Sequence, residues 1–101
     1  MKIEKISAQF ADLGSKVSLA VPVNIKEVAL RLYQETHEIA IFIQVPEPTD
    51  LQTSEAMPAR NRFFLASPTI GSLPDTFLKF IGAMGFVNGS VREAYIIEVA
   101  E

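Results

Sequence analysis

Apolar and polar residues alternate along "KVSLAVPV". Val17, Leu19, Val21 and Val23 fall on one face, Lys16 and Ser18 on the other. That period of two predicts a half-buried strand. Ile6, Ala8 and Phe10 alternate more weakly upstream and predict a first strand. Asp12 to Ser15, with Gly14, read as the turn between the two.

The next stretch carries two patterns at once. Ile25, Val28, Ala29 and Leu32 fit a helical stripe, while Val28, Leu30 and Leu32 fit a strand. Asn24 can cap a first helical turn, and Glu27 stands where it can reach back to that cap. A strand here would require a tight hairpin near Glu35-Thr36-His37-Glu38, without the Gly or Asn that such turns favour. Glu27 and Arg31 are spaced as a favourable helical pair. The sequence therefore predicts a helix over 25–36.

"EIAIFIQV" places Ile39, Ile41, Ile43 and Val45 on one face and Ala40 and Phe42 on the other. Both faces are apolar, which predicts a central strand covered on two sides. Residues 46–60 hold three prolines and no period, and read as an irregular loop. "RFFLAS" predicts a short strand.

A second helix is expected from Ser72, a good N-cap, through Pro74 and Asp75, with a stripe of Leu73, Phe77, Leu78, Ile81 and Met84. Gly85 would end it in the left-handed conformation. "NGS" is a turn. In the last strand Val91, Tyr95, Ile97 and Val99 are expected to face inward, and Arg92, Ala94, Ile96, Glu98 and Ala100 outward. The order β-β-α-β-β-α-β predicts one α+β domain over residues 1–101. Its expected form is a ferredoxin-like sandwich, a mostly antiparallel sheet with two helices on one face. The rival is a helix-on-sheet fold of different strand order.

Composition narrows the chemistry. The 101 residues include no cysteine, which excludes disulfides, thiolate metal sites and cysteine nucleophiles. The net charge is -3, spread over both halves of the chain, which argues against a nucleic-acid partner. The apolar fraction of 49% is high for so small a domain and favours a partner surface. No stretch has the pattern of a signal peptide or the length of a membrane helix, so a cytoplasmic protein without membrane contact is expected.

Candidate sites are few. His37, the one histidine, sits between Glu35 and Glu38. The spacing of "ETHE" does not put two ligands on one helix face, and one imidazole with carboxylates is not a zinc set. His37 reads as a polar joint between helix and strand. No nucleophile elbow, Walker loop or dinucleotide motif is present, so no cofactor or metal is expected. Arg60 and Arg62 precede Phe63 and Phe64. This run lacks the glycine and alternating aromatics with which RNA-recognition strands stack on bases. If the fold brings Arg60 and Arg62 close to Ser72, a small anionic ligand would fit between them, with the 46–60 loop as a lid.

The leading expectation is a non-catalytic interaction or regulatory module that pairs with itself as a homodimer or with another protein. Phe42, Phe64 and Ile96 are its expected interface on an uncovered sheet face. The alternative is an anion-binding domain using Arg60, Arg62 and Ser72. A small enzyme built on His37 is the third reading.

Overall fold

A computed structural model describes residues 2–23, 25–45, 58–88 and 90–101. It contains seven strands: β1 (Lys2–Gln9), β2 (Lys16–Pro22), β3 (Lys26–Tyr33), β4 (Glu38–Val45), β5 (Ala59–Ser67), β6 (Phe77–Asn88) and β7 (Ser90–Val99). They form two antiparallel sheets, one ordered β1-β4-β3 and the other β2-β5-β7-β6.

This overturns the α+β expectation. No helix stands over 25–36 or after Ser72, so the fold is not a ferredoxin-like sandwich. The Asn24 cap and nearly all of the irregular loop, residues 46–57, lie outside the described residues. Among the described residues no helix is long and apolar enough to cross a membrane.

The reason for the misreading is local. β3 has a bulge between Glu27 and Ala29. β6 has two, between Phe77 and Lys79 and between Phe80 and Gly82. Each bulge sets two residues against one on the partner strand. The apolar period of two then becomes three at that point. In β3 the residues facing the other sheet are Glu27, Leu30 and Leu32. In β6 one face reads Phe77, Phe80, Ala83. A spacing of three imitates a helical stripe.

The two sheets close on one core. β4 supplies Ile39, Ile41 and Ile43, β2 supplies Leu19 and Val21, β5 Phe64 and Ala66, β6 Met84 and Phe86, and β7 Ala94 and Ile96. Phe10, in the arch between β1 and β2, fills the end of the core. Gly14 turns that arch at φ 90°, a conformation that disfavours any side chain. The arch then pairs with the end of β5, where the Gly14 N–H donates to the Ala66 carbonyl at 2.8 Å.

β7 faces the reverse of the expected way. Ala94 and Ile96 point into the sandwich, and Tyr95, Ile97 and Val99 point to the outer side. Ile97 and Val99 are nonetheless buried. The topology explains this. β5 ends opposite Tyr95, whereas β6 begins opposite Val99. Residues 68–76 must therefore run back along the outside of β7, and Leu73 and Pro74 are half-buried there.

Gly85 lies inside β6 and not at a helix end, and its φ is not positive. Its expected role as a left-handed cap is thus wrong. The left-handed residue is His37 at φ 54°, in the turn joining β3 to β4. Histidine is one of the few residues other than glycine that enters this region with some frequency.

Candidate functional site

Three places concentrate polar chemistry or unsatisfied surface. The first is an ion cluster at one end of the sandwich. β5 turns Arg62 inward, two residues before the inward Phe64, and β7 turns Glu98 to the same side, because Glu98 pairs directly with Phe64. The Arg62 guanidinium donates from Nε to Glu98 Oε2 at 2.9 Å and from Nη2 to Oε1 at 2.8 Å. Its Nη1 donates to Glu27 Oε2, 3.2 Å away on β3 of the other sheet. The side chains of Arg62 and Glu98 are only 11% and 12% exposed.

The guanidinium also lies 5.4 Å from the centre of the Phe64 ring. The hydrogen bond from Arg62 holds the Glu98 carboxyl below its usual pKa, against the opposing effect of burial, and the charges of Arg62, Lys79 and Arg60 add to it. The same bond raises the Arg62 pKa, again against burial. The bidentate fork ties β5 to β7 within one sheet, and the single bond to Glu27 reaches across to the other sheet.

The second place is a polar clasp between the β3–β4 turn and β6. The Gly85 N–H donates to Gln34 Oε1 at 2.7 Å, and the Gln34 amide nitrogen donates back to the Gly85 carbonyl. His37 Nε2 lies 3.0 Å from that same carbonyl, and its ring stacks on Phe86 at 4.3 Å. The His37 carbonyl accepts the Phe10 N–H at 2.8 Å. His37 therefore serves as a joint, though between two strands and not between helix and strand. Among the described residues no three His, Asp or Glu side chains gather as metal ligands.

The third place is the outer side of the four-stranded sheet. Val87 and Val91 stand directly opposite each other near the tip of the β6–β7 hairpin, 73% and 74% exposed. Phe80, 46% exposed, continues the strip, its ring 6.5 Å from that of Tyr95. Ile70, in the crossing connection, is exposed as well. Glu93 and Lys16 are the charged residues that the strand register puts on this side. The outer side of the three-stranded sheet differs. There Lys5 meets Glu38 at 2.9 Å and lies 5.1 Å from the Tyr33 ring centre, so charge is mixed with the apolar Ile3, Tyr33 and Phe42.

The expected site residues are dispersed. Arg60 is exposed at the start of β5, and Arg62 is committed to two carboxylates. Ser72 lies in the connection outside β7, with the sheet between it and the inward-facing Arg62. Phe64 and Ile96 are fully buried in the core and form no surface of this chain. Phe42 is half-buried on the outer side of the other sheet. Val87 was visible in the sequence only as a neighbour of the "NGS" turn, and Val91, expected to face inward, is instead exposed.

Comparison with family models, curated proteins and solved structures found no match for this chain.

Proposed function

We propose that this chain is a non-catalytic interaction module that associates with itself, using the hairpin half of the outer side of the four-stranded sheet. The observation that carries this reading is the exposed pair Val87 and Val91, with Phe80 and Tyr95 further along the same side beyond Gly85 and Glu93. Exposed apolar side chains grouped in this way mark interaction sites, and two-fold pairing is the commonest way to bury them. The surface replaces the one expected from Phe42, Phe64 and Ile96. The anion-binding alternative gains no support from Arg62, because three of its donors already serve Glu98 and Glu27. The cytoplasmic setting expected from composition belongs to this proposal as well.

Light scattering at micromolar concentration tests it. The chain of 11.1 kDa should give about twice its mass. Val91→Glu should return it to monomer with its circular dichroism unchanged, because Val91 is a surface residue. Ile96→Glu, in the core, should unfold the protein outright. A monomer at every concentration rejects self-association.

A further inference from the structure

Gly85 faces Glu93 across the β6–β7 ladder, yet its N–H and carbonyl bond to Gln34. They therefore point away from β7, toward the free edge of the sheet. Backbone groups alternate along a strand, so those of Ala83 and Val87 point the same way. No described residue bonds to them on that side. β6 thus presents a row of three residues with outward N–H and carbonyl groups, and the Gln34 amide plugs the middle one.

Protein edges are usually guarded by charges, prolines or inward-pointing polar residues. Residues 80–88 of β6 contain no charge and no proline. The guard is the β3–β4 turn: Gln34 bonds both groups of Gly85, and His37 Nε2 lies 3.0 Å from the same carbonyl.

We infer that the free edge of β6 is a strand-pairing site for the β6 edge of a second copy of this chain, with Gln34 as its removable plug. The inference rests on the self-association proposed above and specifies its geometry. The row is self-complementary. An antiparallel two-fold pairing centred on Gly85 sets Gly85 against its own copy and Ala83 against Val87, and each facing pair exchanges two main-chain hydrogen bonds. The side chains that meet on the outer side are Gly, Ala and Val, without bulk or like charge there, while the His37 ring beside the Gly85 carbonyl must move aside together with Gln34. It also lays a neighbouring strand beside Val87, which a monomer leaves bare. A charged or bulky strand from another protein would lack this match.

The test combines the full-length chain with Gln34→Ala and Val87→Lys. Sedimentation should show Gln34→Ala dimerising about tenfold more tightly, since each copy no longer gives up the two bonds of its plug. Val87→Lys, at a surface position, should be monomeric and folded. Amide exchange followed by NMR adds the edge itself: the Ala83 and Val87 amides should exchange fast in dilute protein and slow as the dimer forms. A dimer in which those amides stay fast, or which Gln34→Ala does not tighten, overturns edge pairing while leaving self-association through the apolar face intact. A Gln34→Ala protein that is monomeric throughout overturns both.

Discussion

Arg62 and Glu98 face each other as two parallel hydrogen bonds on neighbouring strands, 2.9 Å and 2.8 Å long, in a place largely closed to water. Glu27 adds a third contact from the opposite sheet. The pair is an inter-strand fastener at an end of the sandwich where the core residues give way to charge.

Glu98→Gln should destabilise the fold by about 2 kcal/mol, because the guanidinium loses its charged partner while staying mostly buried. The pH dependence has a definite sign. The folded-state pKa of Glu98 is depressed, so its contribution is present above the usual carboxylate range and is lost as pH falls through the folded value. Melting temperature measured from neutral to acid pH should fall less steeply in Glu98→Gln than in the wild type. Parallel curves would assign the acid sensitivity to other carboxylates.

At His37 the backbone, φ 54°, and the ring make separate demands. His37→Asn keeps a residue that tolerates the left-handed conformation and loses the ring stack. His37→Val loses both and should cost about 1–2 kcal/mol more, since a β-branched side chain is strained there. Thermal melts of the two variants decide this, and equal losses would mean that the ring alone matters.

How much of this was legible in the sequence depends on regularity. Val17–Val21 obeys a clean alternation, Ile39–Val45 and Phe63–Ser67 are short apolar runs closed by proline, and all three were readable as strands, as was the Asp12–Ser15 turn. β3 and β6 were not, because an extra residue at each bulge turns alternation into a spacing of three. Gly82 and Gly85 inside β6 were the available warning, since isolated glycines weaken a helix and often mark bulges. The β3–β4 hairpin was rejected for want of glycine, and His37 supplies the conformation instead. The candidate surface was hidden for a related reason: the inward and outward sets of β7 depend on which side residues 68–76 cross, and no local pattern encodes that.

Gly82 and Gly85 should respond oppositely to a methyl group. A Cβ at Gly82 would come 2.8 Å from Leu32 Cδ1, whereas at Gly85 the nearest atom, Gln34 Nε2, would be an ordinary 3.5 Å away. Gly82→Ala should therefore cost up to about 1 kcal/mol by turning the tip of Leu32 aside, and Gly85→Ala should stay within about 0.5 kcal/mol. Adding Leu32→Ala to Gly82→Ala should recover part of the first loss, a non-additivity that a double-mutant cycle in denaturant measures.

The placement of β7 between β5 and β6 also sets a timetable. β5 and β6 run in the same direction and cannot hydrogen-bond until a strand made after both slides between them. During synthesis the four-stranded sheet must wait for residues 90–99 to leave the ribosome, and until then both of its flanking strands offer bare edges. A chain halted before Ala94 would lack Ala94 and Ile96, which sit between Phe64 of β5 and Met84 of β6 in the core. Such a nascent chain is a natural client for holding chaperones, and its refolding should be limited by a late insertion event that local strand propensity does little to hasten.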